Sequence, residues 1–232
     1  MMMMTPLYDK QNRCIFCNHS FVSKSLRSRF VKLNTYDSDF CPNYKEAENN
    51  PIYYHVKVCP ACGFSYTDDF SSYFPPETKE IIEKNVHAKW VPHSYGKERT
   101  IEKSIQTYKL SVYCGILKKE KHVTIAGLYM RIAWQYRYLH NEDQEQRFLT
   151  LALKEYANSY STGDYQGKQM SDIKILYLLG EISRRLSDID SAKKYFSKVI
   201  EQQSQSTEPT IVQMAKERWR DIKENVQKVS EK

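Results

Sequence analysis

Two pairs of cysteines constrain the fold of this chain more than any other feature of its sequence. The pairs are Cys14 with Cys17 and Cys59 with Cys62, each within a Cys-x-x-Cys turn. Such a turn directs two sulfur atoms at one point, and two turns supply the four thiolates of a tetrahedral zinc site. Because a four-sulfur site has no open position for water, the pattern predicts one structural zinc ion rather than a catalytic one. Four thiolates also accept iron, so iron is the alternative metal.

Other side chains near these pairs leave several interpretations open. His19 could add a metal ligand, or it could lie beside the ligands or in solvent. Cys41 could replace a ligand, serve as a reserve thiol, or be buried as a small apolar side chain, and we expect burial. Asp37 and Asp39 are expected to cap a turn rather than to form a carboxylate pair. A redox dithiol competes with zinc at the two pairs, although such dithiols typically use one Cys-x-x-Cys at a helix start.

The first part of the chain is predicted to be a small β-rich domain over residues 5–72. We expect a hairpin after the first cysteine pair. The β-branched and aromatic run at residues 52–58 predicts a strand that leads to Cys59. The 41 residues between Cys17 and Cys59 exceed the usual spacing of a compact four-cysteine site. The domain is therefore expected to be a zinc ribbon with an enlarged insert.

The remainder of the chain has the apolar periodicity of α-helices. Pro75 and Pro76 mark a linker at residues 73–76, and a helical domain is expected over residues 77–229. One good and one degraded copy of the tetratricopeptide pattern occur in it, in which small residues let paired helices approach. We predict an α+β, mostly α fold, with a zinc-ribbon-like domain followed by a tetratricopeptide-like stack of helical hairpins. An ordinary helical bundle is the alternative. The good copy comprises Leu176, Leu179, Gly180, Ser183, Ala192 and Phe196, and the degraded copy comprises Tyr129, Ile132, Ala133, Tyr136, Leu149 and Ala152.

The same periodicity predicts the helix boundaries. An apolar stripe over residues 101–116 indicates one helix, and a break follows it. A helix pair is expected at about residues 173–186 and 191–203, joined by a short polar turn. The last helix is expected to begin near a proline and to carry Val226 and Val229 on its apolar face.

Composition and charge narrow the class of protein. Apolar residues make up 41% of the chain and charged residues 27%, as in soluble globular proteins. No apolar run approaches the roughly 20 residues that span a bilayer, and the N-terminus lacks the segments of a secretion signal. We therefore expect no membrane partner and a cytoplasmic location, where reduced thiols bind metal. The net charge is +7, but the excess lies after residue 75 and is spread among acidic residues, which only weakly indicates nucleic-acid binding.

Short motifs occur along most of the chain. Besides the two cysteine turns, they are Leu7-Tyr8-Asp9-Lys10, Asp37-x-Asp39-Phe40-Cys41-Pro42, Asn50-Pro51-x-Tyr53-Tyr54, Glu98-Arg99-Thr100, Tyr108-Lys109-Leu110, Arg131-Ile132-Ala133-Trp134-x-Tyr136-Arg137 and Leu178-Leu179-Gly180-Glu181. Together these motifs resemble the bacterial domain-of-unknown-function family numbered 2225. The resemblance covers about residue 6 to Trp219. It implies a cysteine-rich N-terminal region and a tetratricopeptide-like C-terminal region, but no activity.

These observations favour a non-enzymatic zinc-binding adaptor whose helical groove binds a protein or peptide partner. Stacked helix pairs form extended concave surfaces, which bind chains rather than perform chemistry. The chain has no Gly-rich phosphate loop and no nucleophile elbow, so no catalytic residue is predicted. The predicted partner contacts are Tyr129, Tyr136, Arg137, Tyr177, Glu181 and Arg184.

Two other functions stay open at this stage. The first is nucleic-acid binding by the basic hairpin, through Lys24, Arg27 and Arg29 with aromatic side chains nearby. The second is a thiol or metal redox sensor in which Cys41 is the reactive thiol.

Overall fold

The computed structural model describes residues 5–168 and 170–230, although the side chains of Gln205 and of residues 225–230 lie outside the description. Six short strands precede seven α-helices in these described residues. The expected α+β, mostly α fold is therefore confirmed. None of the described helices combines the length and the apolar character that crossing a membrane requires.

The N-terminal region consists of three antiparallel hairpins. The first joins β1 (Leu7–Arg13) to β2 (Ser20–Leu26), the second joins β3 (Leu33–Tyr36) to β4 (Pro42–Tyr44), and the third joins β5 (Lys57–Val58) to β6 (Ser65–Tyr66). The loops of the first and third hairpins contain the two cysteine pairs, and the second hairpin lies in the insert between them. The first cysteine pair thus lies inside a hairpin, which corrects the expectation that a hairpin would follow it.

The strand predicted at residues 52–58 is wrong for most of its length. The chain forms a 3₁₀ turn at Pro51–Tyr54, and only Lys57–Val58 is a strand. The cause is local capping, since the Asn50 side chain accepts a hydrogen bond of 2.9 Å from the Ile52 amide. Strand propensity depends on packing context, and here the capped turn outweighs it.

Four of the seven helices begin at a side chain that caps the first turn. The seven helices are α1 (Thr78–Asn85), α2 (Ile101–Lys118), α3 (His122–Tyr138), α4 (Glu142–Thr162), α5 (Asp172–Arg185), α6 (Ile189–Glu201) and α7 (Pro209–Ser230). Thr100, Asn141, Ser171 and Asp188 each accept a hydrogen bond from the backbone amide three residues later. The stripe over residues 101–116 and the expected helix pair are confirmed.

Small residues bring α5 and α6 together. A Cβ atom on Gly180 would lie 2.8 Å from the ring of Phe196, so only glycine allows this approach. Ala192, on the facing helix, is fully buried. The helices α3 and α4 form a second hairpin through an equally short turn, as antiparallel neighbours do. The tetratricopeptide-like interpretation stays a prediction.

The two parts of the chain share one apolar core. Buried residues of the cysteine hairpins, such as Cys14 and Phe64, belong to the same cluster as Val112 and Ile132 of the helices. Phe74, from the expected linker, packs its ring 5.8 Å from that of Phe64. The domain boundaries 5–72, 73–76 and 77–229 stay a prediction.

A second apolar cluster lies between α5, α6 and α7. Ile211, Ala215 and Ile222 of α7 are buried in it, as an apolar face on that helix requires. The side chains of Val226 and Val229, expected on the same face, lie outside the described residues.

Candidate functional site

The two cysteine turns have the same backbone design. In each, the residue four places after the first cysteine donates its amide to that cysteine's carbonyl, from Asn18 to Cys14 at 3.0 Å and from Gly63 to Cys59 at 2.9 Å. Asn18 has a φ of 61° and Gly63 a φ of 73°. Asparagine and glycine are the residues that adopt this left-handed conformation most easily. Each sequence therefore folds locally into a turn that presents two sulfurs.

The structure brings the four predicted ligands together. Their sulfur atoms all lie within 4.8 Å of one another. The Sγ atoms of Cys14 and Cys62 are 3.7 Å apart, and those of Cys17 and Cys59 are 3.6 Å apart. A tetrahedron with zinc–sulfur bonds of about 2.3 Å has sulfur–sulfur edges of about 3.8 Å. A disulfide would need about 2.05 Å, so the spacing suits a shared cation.

The electrostatics of the cluster also suit a cation. The Cys14 thiol lowers the pKa of Cys59, while the Cys59 thiol raises the pKa of Cys14, so the two pKa values move in opposite directions. Neighbouring thiols therefore resist ionising together, because like charges repel in a partly desolvated site. A divalent cation at the centre would remove this conflict and let all four ligands bind as thiolates.

The additional ligands considered from the sequence lie outside this cluster. His19 is exposed, and its backbone carbonyl accepts a hydrogen bond from the Cys14 amide at 2.9 Å. Cys41 is fully buried, and its thiol donates to the Tyr138 hydroxyl at 3.4 Å. Burial raises the pKa of Cys41 to about 12. The expected burial of Cys41 is therefore confirmed.

A buried arginine links the segment before the third hairpin to the start of α2. Arg99 is 5% exposed and donates to the carbonyls of Tyr53, Val56 and Tyr95 at 2.8–3.0 Å. Burial lowers the pKa of Arg99 to about 10, because removing the guanidinium from water disfavours its charged form. Trp90 adds a hydrogen bond of 2.9 Å from its indole to the Pro60 carbonyl in the second cysteine turn.

The insert makes a second polar site where the loop between β3 and β4, the hairpin tip (residues 37–41), meets α3. Asp39 is fully buried and receives two hydrogen bonds from Arg137, at 2.7 and 3.0 Å, and one from the Trp134 indole at 3.1 Å. Burial alone would raise the pKa of Asp39, but the hydrogen bonds and charge of Arg137 outweigh it and lower that pKa. Asp37 also binds Arg137, at 2.8 Å. The two aspartates therefore anchor the tip.

The same tip occupies the surface of α5. The Tyr177 hydroxyl donates to the Ser38 carbonyl at 2.7 Å, and the Ser38 hydroxyl donates to Glu181 at 2.6 Å. Tyr177 and Glu181 are both fully buried, and Glu181 also binds Arg184 at 2.7 Å. This corrects the expectation that Tyr177 and Glu181 contact a partner, because the chain's own hairpin already covers them. Arg137 is likewise engaged inside the chain.

The tip holds a strained backbone. Phe40 has a φ of 65°, a conformation that a bulky side chain rarely adopts. Its ring packs 5.6 Å from the ring of Tyr177, and the Lys174 ammonium lies 5.4 Å from its centre. Such strain persists only where surrounding contacts determine the geometry.

The other predicted partner residues, Tyr129 and Tyr136, lie elsewhere. Both rings pack against Phe148 of α4, at 6.1 and 5.5 Å between centroids. The Lys109 ammonium of α2 donates to the Tyr136 hydroxyl at 3.0 Å. The six predicted partner residues therefore lie in two places. Tyr129 and Tyr136 lie beside Phe148, and the other four lie at or beside the hairpin tip.

The basic residues of the first hairpin are only partly brought together. Arg27 lies 5.0 Å above the ring of Tyr8, and Arg27 and Arg29 both line an open concavity of about 430 Å³. Lys24 instead pairs with Asp9 at 2.8 Å.

The polar junction between the hairpin tip and the helices was not predicted from the sequence. The signal for it lay in three of the motifs, which contain Asp39, Arg137 and Glu181. They are far apart along the chain, yet the fold places them around one hairpin tip. Asp39 also fulfils its expected turn role, because it accepts a hydrogen bond of 3.3 Å from the Cys41 amide.

Comparison with protein families gives one finding. The model of a family described as uncharacterized protein conserved in bacteria (DUF2225) matches residues 7–222. The chain therefore belongs to this family. Searches of curated proteins and of solved structures each find no match.

Proposed function

We propose that this family member is a non-enzymatic adaptor in which the four clustered cysteines hold one structural zinc ion. The observation that carries the zinc proposal is the clustering of the four sulfur atoms within 4.8 Å of one another, with two distances of 3.6 and 3.7 Å that match the edge of a zinc tetrathiolate. All four positions of such a tetrahedron are taken by sulfur. A site of this kind stabilises a fold and leaves no position for a substrate.

Zinc would stabilise the N-terminal region by joining two hairpins that are too small to be stable alone. The third hairpin has two residues in each strand, and an isolated two-stranded hairpin is at best marginally stable in water. The metal would link Cys14 and Cys17 of the first hairpin to Cys59 and Cys62 of the third. Metal binding would thereby contribute directly to the folding free energy.

The adaptor surface that we favour lies on α2 and α3, since the hairpin tip covers the face of α5. Tyr113 and Ile116 are 45% and 53% exposed and are neighbours on the surface of α2. Lys109, one turn away from Tyr113, contacts Tyr136. The rings of Tyr136 and Tyr129 both pack against Phe148. Exposed aromatic and aliphatic side chains in one patch are typical of protein-binding surfaces.

Metal analysis of matched variants tests the zinc proposal. We expect one zinc per chain in the wild-type protein and its loss in Cys17→Ser and Cys62→Ser. Cys114→Ser is the control, because this thiol is buried outside the cluster and accepts a hydrogen bond from the Ser65 amide at 3.3 Å. Full zinc content in the two ligand variants would contradict the proposal.

A photo-crosslinking residue tests the adaptor surface. Benzoylphenylalanine in place of Tyr113 should crosslink to a specific protein in a native extract. The same residue in place of Tyr36, which is 62% exposed but lies on β3, should not. Equal crosslinking from both positions, or none from Tyr113, would contradict the assignment of this surface.

Nucleic-acid binding is the second candidate, and the concavity lined by Arg27, Arg29 and Tyr8 favours it. Cations beside an aromatic ring can bind phosphates and stack bases. A steep loss of RNA affinity with salt, reduced by Arg27→Ala and Arg29→Ala, would support this candidate. A redox sensor based on Cys41 is less favoured, because buried thiols with a raised pKa react slowly with oxidants.

A further inference from the structure

A cavity of about 780 Å³ lies between the hairpin tip, α3, α5 and the segment that follows α4. Its size falls within the range of small-molecule sites, which is roughly 300–1,000 Å³. Apolar and aromatic side chains cover part of its wall, among them Met130, Trp134, Tyr156 and Leu178. The proposed zinc and adaptor functions make no use of this space.

Three cations line the same cavity, namely Arg131, Lys168 and Lys174. Arg131 donates to the Gly127 carbonyl at 3.0 Å, and Lys168 donates to the Asp69 carbonyl at 2.6 Å. Within the described part of the chain, no carboxylate oxygen lies within 4.0 Å of the side-chain nitrogens of these three residues. The hydrogen bonds that Arg131 and Lys168 donate therefore go to neutral carbonyl groups.

Both carboxylates that line the cavity have other side chains as close neighbours. Asp39 binds Arg137 through both oxygens. Asp69 lies 3.6 Å from the His55 imidazole, and this neighbour lowers the pKa of Asp69, as do the charges of Arg131 and Lys168. The cavity thus combines an apolar wall with three cations, which outnumber the two carboxylates that line it.

We propose that this cavity binds a small organic anion that carries a flat apolar ring. The ring would lie against Trp134 and Met130, and the carboxylate, phosphate or sulfonate group would face Arg131 and Lys174. Charge-assisted hydrogen bonds to an anion are stronger than neutral ones, and the partly enclosed site strengthens them further.

The fluorescent dye 8-anilinonaphthalene-1-sulfonate tests the proposal on the full chain, because it joins flat rings to a sulfonate. Its uncharged relative N-phenyl-1-naphthylamine measures the contribution of the anion. We expect saturable binding of the sulfonate at one site, and affinity about tenfold lower or worse for the uncharged dye. Arg131→Gln and Lys174→Gln should each weaken sulfonate binding about tenfold. Lys154→Gln, an exposed α4 lysine outside the cavity, is the charge-matched control and should change it less than about twofold.

A second variant tests the location without removing charge. Gly127 lines the cavity, and a Cβ atom there would meet only the end of the flexible Arg131 side chain, at 3.1 Å. Gly127→Leu should therefore fold, since leucine favours helices more than glycine does, and should abolish binding by filling the space. The proposal is overturned if the wild-type protein shows no saturable sulfonate binding. It is also overturned if Gly127→Leu, confirmed as folded by circular dichroism, binds as tightly as the wild type.

Discussion

Replacing Arg137 by alanine is the most informative perturbation of the fold. The guanidinium makes two hydrogen bonds to Asp39, at 2.7 and 3.0 Å, and also binds Asp37 and Glu145 at 2.8 Å. Asp39 is fully buried. In the variant, its carboxylate keeps only the Trp134 indole, the Cys41 amide and the Arg185 guanidinium, which lies 3.5 Å away. Removing one partner of a buried pair costs about 3–5 kcal/mol. Urea unfolding should show a loss of this size.

A double-mutant cycle separates the pair from other effects of the substitution. Asp39→Asn combined with Arg137→Ala should cost about 2–3 kcal/mol less than the sum of the two single variants, since the residues are in direct contact. Arg218→Ala is the matched control, because Arg218 pairs with Asp221 at 3.3 Å on the surface. Its loss should stay below about 1 kcal/mol. A loss below about 1 kcal/mol for Arg137→Ala would refute the reasoning.

The pH dependence of this contribution has a defined sign. The native pKa of Asp39 lies below the ordinary value of 3.8, so the folded state binds its proton less readily than the unfolded chain. The stabilisation is therefore fully present above pH 3.8 and is lost as the pH falls through the native pKa. The stability difference between the wild-type protein and Asp39→Asn should be constant from about pH 7 to pH 5 and should shrink in stronger acid.

Three further results are expected. In thermal unfolding, Gly180→Ala should destabilise the protein by about 1–3 kcal/mol, because the new Cβ atom meets the Phe196 ring on the facing helix. Gly127→Ala should instead stabilise the protein by about 0.5–1 kcal/mol, because alanine favours helices more than glycine does. Tyr177→Phe should cost about 1 kcal/mol by removing the hydrogen bond to the hairpin tip, and an unchanged urea midpoint would contradict that contact. Cys41 and Cys114 should resist alkylation at pH 8 until the chain unfolds, since burial raises the pKa of each to about 12; rapid labelling of the native protein would contradict this.

Local signals in the sequence predicted the helices and the cysteine turns correctly. Helix positions follow from apolar periodicity and from capping residues such as Ser171 and Asp188, which act within four residues. Gly180 was identified because the tetratricopeptide pattern contains a small residue at this position. In these cases the cause and the consequence lie close together in the chain.

Long-range packing explains what the sequence could not predict. The pairing of Asp39 with Arg137 joins residues 98 positions apart, and no local pattern encodes it. Tyr177 and Glu181 were placed in an open groove because the pattern describes helices alone and does not include the hairpin that covers them. The predicted strand at residues 52–58 failed because side-chain composition was given more weight than the capped turn at Asn50.

The most direct test of the central claim is X-ray absorption at the zinc edge of protein purified under reducing conditions. The sulfur spacings of 3.6 and 3.7 Å predict four sulfur ligands at about 2.3 Å and one zinc per chain. Nitrogen or oxygen among the metal ligands, a metal content near zero, or disulfides within the two cysteine pairs would contradict it.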